Sequence, residues 1–85
     1  MTQSGMMEDE LHDALIAAFA KSKSNCTAFA DRSAGVLILR DDHLRGIWFW
    51  RNRCFEFVPG GYTAATKTAN SAEEAVVYTL QHICK

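Results

Sequence analysis

The sequence predicts an α+β domain, in which an antiparallel meander of three to five strands carries an N-terminal and a C-terminal helix on one face. Apolar residues recur at helical spacing near both ends of the chain. The middle of the chain consists of short apolar segments separated by turn residues. Strands joined by short turns pair antiparallel, and helices before and after them pack on the sheet as a second layer.

The first helix is predicted from Met7 to about residue 23. Leu11, Leu15 and Phe19 recur at the spacing of a single apolar stripe, and polar residues follow from Ser22 onward. Three acidic residues are expected near the positive end of the helix dipole: Glu8, Asp9 and Glu10. Residues 1–6 are expected to be a disordered terminus, so that one domain spans residues 7–85.

The last helix is predicted to begin at a capping box and to run to about Ile83. In the sequence Ser71-Ala72-Glu73-Glu74, the Ser71 hydroxyl is expected to accept the Glu74 N–H, and the Glu74 carboxylate to accept the Ser71 N–H. Four residues of this helix are expected to face inward: Ala72, Val76, Leu80 and Ile83.

Four strands are predicted between the helices, with the sequences CTAFAD, GVLILR, GIWFWR and CFEFV. Turns are expected at 31–35, at 41–43 and at Asn52-Arg53, and Pro59-Gly60-Gly61 ends the fourth strand. The alternating segment from Tyr62 to Lys67 is interpreted as an outer fifth strand.

Length and composition limit the classes of function. At 85 residues with 48 % apolar residues, the chain suits one compact core, and a net charge of −1 argues against a generic polyanion binder. Its longest apolar run is too short to span a bilayer, so no membrane role is predicted. Three cysteines without a CxxC pair or a signal peptide indicate free thiols in a reducing cytoplasm.

Catalytic, cofactor and metal sites are not predicted. His82 and Cys84 lie two residues apart on a helix, where side chains point roughly 200° apart and cannot share an ion. His12 and His43 belong to other segments. Cys54 has arginine neighbours in sequence but is interpreted as a small buried residue of a strand. The protein is therefore expected not to be an enzyme.

The segment Ile47–Phe57, IWFWRNRCFEF, is apolar on both faces of its predicted strands. Ile47, Phe49 and Arg51 point one way along the strand, and Trp48 and Trp50 point the other way. One set closes the core, and the other leaves aromatic surface of the type enriched where proteins bind proteins. The residues expected to bind a partner are Arg40, Arg45, Trp48, Phe49, Trp50, Arg51 and Arg53.

The Trp-x-Trp strand at 48–50 and the Ser-x-Glu-Glu-Ala helix start at 71–75 resemble features of small accessory proteins of bacteriophages and mobile elements, including several anti-CRISPR proteins. The resemblance concerns overall style over most of the chain. It implies an inhibitor or adaptor in the cytoplasm of a bacterial host, which occludes a host protein by surface complementarity. It also implies a monomer or a homodimer formed through the sheet or its edge.

DNA binding is the alternative. From Gly46 to about Leu80, the strand order and the SAEEAV helix start resemble integrase arm-binding and plant ethylene-response-type DNA-binding domains. The helix–strands–helix order also resembles the double-stranded-RNA-binding domain, but Glu73 and Glu74 stand where that family has phosphate-binding lysines. Near-neutral charge and acidic helix ends favour a protein partner over nucleic acid.

Overall fold

The computed structural model describes residues 3–84 of the chain. Along the chain, one helix precedes the five strands and a second helix follows them, and the second helix ends in a π-helical turn. The elements are α1 (Gln3–Ser22), β1 (Cys26–Asp31), β2 (Gly35–Arg40), β3 (His43–Arg51), β4 (Cys54–Pro59), β5 (Lys67–Ala69), α2 (Ala72–Tyr78) and the π-helical turn Thr79–Ile83. This arrangement confirms the predicted α+β class, with both helices packed on one face of an antiparallel meander.

The five strands are ordered β1-β2-β3-β4-β5, and each pairs antiparallel with the next. Two of the predicted turns are two-residue hairpin tips. Both residues of each tip, Asp41-Asp42 and Asn52-Arg53, have positive φ angles. This conformation gives a type I′ turn, whose twist matches that of the flanking strands.

Trp48 lies at the centre of the core, on the face of the sheet that the helices cover. Its register partners on β2 and β4 are Val36 and Phe57, and all three side chains are fully buried. Its ring centroid lies 5.0 Å from that of Phe57 and 6.0 Å from that of Tyr78. Apolar side chains of α1 complete this core: Leu11, Leu15 and Phe19.

The buried hydroxyl of Thr79 forms a hydrogen bond with the indole of Trp48. Thr79 Oγ1 accepts the Trp48 Nε1–H at 2.9 Å and donates to the Ala75 carbonyl at 2.7 Å. Thr79 is fully buried and begins the π-helical turn, in which the Cys84 N–H bonds the Thr79 carbonyl. The indole N–H therefore enters the core without being left unpaired, which would be costly.

Each helix has one end that differs from the predicted one. α1 begins at Gln3, four residues before the predicted start at Met7, so it includes residues 3–6 of the segment expected to be disordered, and Met1 and Thr2 lie outside the described residues. The expected acidic residues consequently lie beyond the first turn of the helix. α2 stops being α-helical at Tyr78, five residues before the predicted end, because the turn that follows has π-helical hydrogen bonds.

Half of the capping box matches its prediction. The Ser71 hydroxyl accepts the Glu74 N–H at 3.2 Å, as expected. The Glu74 carboxylate, however, accepts the N–H of Asn70 at 2.7 Å, one residue before the predicted donor. The cap therefore also fixes the chain that leaves β5.

The fifth strand lies later than predicted. It spans Lys67–Ala69 instead of Tyr62–Lys67, because Phe55 of β4 pairs with Ala69. Ala69 is thereby buried beside Phe55, whereas Tyr62 is among the most exposed large side chains. Burial of a small apolar residue decides this register in preference to local alternation.

Cys26 and Cys84 form a disulfide that joins the start of β1 to the end of the π-helical turn. The prediction of three free thiols is therefore wrong for this pair, whereas Cys54 is free. The two cysteines lie 58 residues apart in sequence. A local spacing rule cannot detect such a pair, because the fold alone brings the two ends together.

Candidate functional site

The face of the sheet that points away from the helices carries seven apolar side chains. We call this surface the outer face. Its members come from four strands and are Phe29, Leu37, Leu39, Leu44, Ile47, Phe49 and Val58. α1 packs on β1, β2 and β3 from the opposite side, and α2 packs on α1 and β5. No described element therefore covers the outer face.

The middle of the outer face is a row of four side chains that crosses the sheet. The register pairs Phe29 with Leu37, Leu37 with Ile47, and Ile47 with Val58. Phe29 is 59 % exposed, and the other three are half-buried because they shield one another. A contiguous row of this kind differs from single exposed apolar residues, which are ordinary on protein surfaces.

A second row extends the surface toward the β2–β3 turn. Leu39 pairs with Leu44, which is 46 % exposed. A bulge at Arg45 returns Leu44 to the same face as Ile47, although the two residues are three positions apart. Without the bulge, alternation would turn Leu44 toward the helices.

One end of the outer face carries an aromatic ring and an ion pair. The Arg51 guanidinium lies 5.0 Å from the centroid of the Phe49 ring and donates to Glu56 Oε1 at 2.7 Å. The Glu56 side chain is only 11 % exposed, whereas that of Arg51 is 62 % exposed. Arg51 therefore neutralises a carboxylate that would otherwise interrupt the apolar surface unpaired.

The two faces of β3 carry different side chains. Trp48 and Trp50 point toward the helices, and Ile47 and Phe49 point outward. The buried Thr79 hydroxyl, which offers a partner to the Trp48 indole, stabilises this choice. Of the two arrangements that the sequence left open, the outer pair is thus Ile47 with Phe49.

Trp48 and Trp50 were predicted to bind a partner, and burial corrects this for Trp48. Trp48 is fully buried in the core. Trp50 is half-buried on the helix side, where its ring packs 4.8 Å from that of Phe55. Its backbone N–H, which extends beyond the end of β2, donates to Glu8 Oε2 of α1 at 3.0 Å. Trp48 is therefore a core residue.

The predicted arginines do not gather around the outer face. Arg51 lies on it, but Arg40 pairs with Cys26 on β1 and borders a shallow pocket with Leu80 and Cys84. Arg45 is the bulge residue, and Arg53 occupies the tip of the β3–β4 hairpin. The four arginines therefore lie on two strands and on a hairpin tip of the described sheet.

A mixed-charge cleft of about 710 Å³ lies where α1 approaches the β1–β2 turn, beside Phe49. Three of its charged side chains have partners. Glu8 accepts from Trp50, Asp31 accepts from Ser33 and Ala34, and Arg51 pairs with Glu56. Hydrogen bonds within the turn, the Ser33 hydroxyl first, lower the pKa of Asp31. Asp9 and Arg32 line the cleft as well.

Within residues 3–84, no group of three or more histidine, cysteine or acidic side chains is placed to hold a metal ion. Over the same residues, neither helix combines the length and apolar character that crossing a membrane requires. Cys54 is half-buried, and its thiol lies 3.5 Å from the Arg51 carbonyl.

Sequence reasoning named two residues of the surface as site residues, Phe49 and Arg51, and missed the rest of the outer face. The missed residues are Phe29, Leu37, Leu39, Leu44 and Val58, and Ile47 was considered only as part of one of two possible outward pairs. A signal was present, since Leu37 and Leu39 alternate with the buried Val36 and Ile38 on β2. Only the strand register shows that these leucines share a face with Ile47.

The comparisons with known proteins identify no relative. No protein-family model, no curated protein and no solved structure matches the chain.

Proposed function

We propose that the protein is a small non-catalytic binding module that holds a protein partner on its outer face. The observation that carries the proposal is the uncovered row Phe29–Leu37–Ile47–Val58, extended by Leu39, Leu44 and Phe49. A contiguous apolar patch is unfavourable in water and, on a monomer, is often a functional surface.

The chemistry of the surface favours a protein over other partners. Its centre is apolar and its charged groups stand at one end, as in protein interfaces with a dry core and a polar rim. Arg51 is the rim cation, and it is already paired with Glu56. We infer a partner with a flat apolar surface and an acceptor for the remaining Arg51 N–H groups.

The mode of action that we propose is occlusion, as in the phage and mobile-element inhibitors that the sequence resembles. The cytoplasm of a bacterial host remains the proposed location, with one feature against it. Disulfides persist mainly in oxidising compartments, and Cys26 and Cys84 are bonded. In a reducing cytoplasm, the protein would therefore act with this bond open.

The test is capture from a bacterial lysate by immobilised wild-type protein and by matched variants. Leu37→Glu and Ile47→Glu each place a charge in the middle of the outer face. Val77→Glu makes the same kind of change at an apolar residue of α2 that is 47 % exposed. We expect a protein that wild type and Val77→Glu retain, and that both outer-face variants bind at least about tenfold more weakly.

Circular dichroism and urea unfolding must show that all four proteins are folded. Equal retention of every captured protein by folded variants would refute the outer face as the binding site. A parallel capture with nuclease distinguishes binding of a protein from binding of nucleic acid, which is the alternative function. Retention that disappears with nuclease, and weakens steeply with salt, would assign the surface to nucleic acid instead.

A further inference from the structure

The Cys26–Cys84 disulfide has one end in the core and one end beside a pocket. Cys26 is 7 % exposed and belongs to the apolar core. Its backbone N–H donates to Ser24 Oγ at 3.0 Å, which fixes it at the start of β1. Cys84 is half-buried and lines the pocket that Arg40 borders, whereas Cys26 does not line it. The two ends of the bond therefore differ in their access from solvent.

We call this pocket of about 380 Å³ the Cys84 pocket. It lies between the end of α1, the end of β2 and the π-helical turn. No carboxylate side chain of residues 3–84 lines it, and this includes Asp41 and Asp42, which follow Arg40 in sequence. Its polar lining consists of two hydroxyls, one amide and two cations, supplied by Ser22, Ser24, Asn25, Lys23 and Arg40.

The two cations of the Cys84 pocket are available to an anion. Lys23 is exposed and Arg40 is half-buried, and neither forms an ion pair with another residue of the described chain. Positive charge beside a disulfide favours the thiolate form of an approaching thiol, and it attracts a molecule that carries carboxylates. Charge and a reactive bond thus occur together at this pocket.

We propose that the Cys84 pocket binds a small anionic thiol of the glutathione class, and that this thiol exchanges with the disulfide at Cys84. The incoming thiolate forms a bond to Cys84 Sγ, and the bond between the two protein sulfurs breaks. Cys26 Sγ leaves with the electron pair and takes up a proton from water. The products are a mixed disulfide at Cys84 and a thiol at Cys26, and the reverse steps restore the bond.

Access and leaving-group chemistry favour different sulfurs, and access decides. Cys84 would be the better leaving group, because a departing thiolate is unfavourable among the apolar neighbours of Cys26. Attack on Cys26, however, would require a tripeptide-sized thiol to enter the core. The same burial makes the Cys26 thiol a weak nucleophile for the return step. The mixed disulfide at Cys84 should therefore persist long enough to be isolated.

The first test compares two thiols on the oxidised protein in a Cys54→Ser background, which keeps the third thiol out of the exchange. Reduced glutathione and its diethyl ester share the same thiol and peptide, but the ester has no free carboxylate. Per thiolate, we expect glutathione to open the disulfide about fivefold faster, as two exposed ion pairs would allow. Lys23→Gln combined with Arg40→Gln should remove this difference. Lys21→Gln, at a lysine outside the pocket, should retain it.

The ratio of the two rates is measured within each protein, so a loss of stability in a variant affects both thiols alike. Equal rates for the two thiols on the unsubstituted pocket would overturn the proposal. A ratio that the Lys23→Gln and Arg40→Gln pair leaves unchanged would do the same. So would a protein in which Cys26 and Cys84 stay free after treatment with oxidised glutathione.

The second test locates the reacting sulfur. In the Cys54→Ser background, Cys26→Ser leaves only Cys84, and Cys84→Ser leaves only Cys26. Both proteins lack the disulfide, so they are matched in that respect. With oxidised glutathione, mass spectrometry should show the mixed disulfide forming at least about tenfold faster at Cys84 than at Cys26. Equal rates, or faster reaction at Cys26, would contradict the assignment.

Peptide mapping of acid-quenched samples from the first test answers the same question with both cysteines present. Glutathione found mainly on Cys26 would overturn the proposal. The proposal is independent of the outer face, because Leu37 and Ile47 do not line the Cys84 pocket. Leu37→Glu should therefore weaken partner capture and leave the ratio of the two thiol rates unchanged.

Discussion

At the residue scale, a few polar contacts decide how apolar segments are oriented. Thr79 gives the Trp48 indole an acceptor inside the core, and Glu8 gives the Trp50 N–H an acceptor beyond the end of β2. Sequence patterns could not identify either pair, because each joins residues more than thirty positions apart. Period-two alternation predicted that Trp48 and Trp50 share a face, but these contacts determine which face it is.

Thr79→Val should destabilise the protein by about 1–3 kcal/mol, because it leaves the Trp48 Nε1–H buried without an acceptor. Valine keeps the shape of threonine, so the cost isolates the hydroxyl. Urea unfolding measures the change. In a Trp48→Phe background, which has no indole N–H, the same substitution should cost less. Equal costs in both backgrounds would show that the Trp48–Thr79 bond contributes nothing.

Asp31 is a single residue that makes the stability of the protein depend on pH. Hydrogen bonds from the Ser33 hydroxyl and the Ser33 N–H hold its pKa below the ordinary value of 3.8. Because the folded-state pKa is the lower one, the carboxylate adds stability above pH 3.8, and this contribution is lost as the pH falls through the folded-state pKa. Ser33→Ala should therefore raise the Asp31 pKa, as measured by a carboxyl NMR titration. An unchanged pKa would contradict the assigned cause.

At the element scale, the sequence predicted correctly those turns and helix caps that depend only on neighbouring residues. The Asn52-Arg53 tip and the Ser71 cap were predicted correctly because turn and cap residues act within a few positions of themselves. The position of β5 was not predicted correctly, because it depends on burying Ala69 beside Phe55. The end of α2 was not predicted correctly either, because it depends on the π-helical turn that begins at Thr79. The same limit explains why only Phe49 and Arg51 of the outer-face surface were named beforehand.

At the scale of the whole molecule, the helices cover one side of the sheet and leave the outer face without a partner among the described residues. An 85-residue chain can build only a small core, so constraints between its ends weigh more than they would in a larger domain. The disulfide is such a constraint, since it ties β1 to the turn that ends the second helix.

Opening the Cys26–Cys84 bond should lower the free energy of unfolding by about 4 kcal/mol, the loop-entropy value for a separation of 58 residues. The matched control is Cys54→Ser, which removes the free thiol and should leave the stability nearly unchanged. Urea unfolding of glutathione-oxidised wild type, Cys84→Ser and Cys54→Ser measures both effects.

Alkylation in denaturant should modify one cysteine of the oxidised wild type and three cysteines after reduction. Three modified cysteines before reduction, or equal stability of all three proteins, would contradict a role for this bond in holding the ends of the chain together.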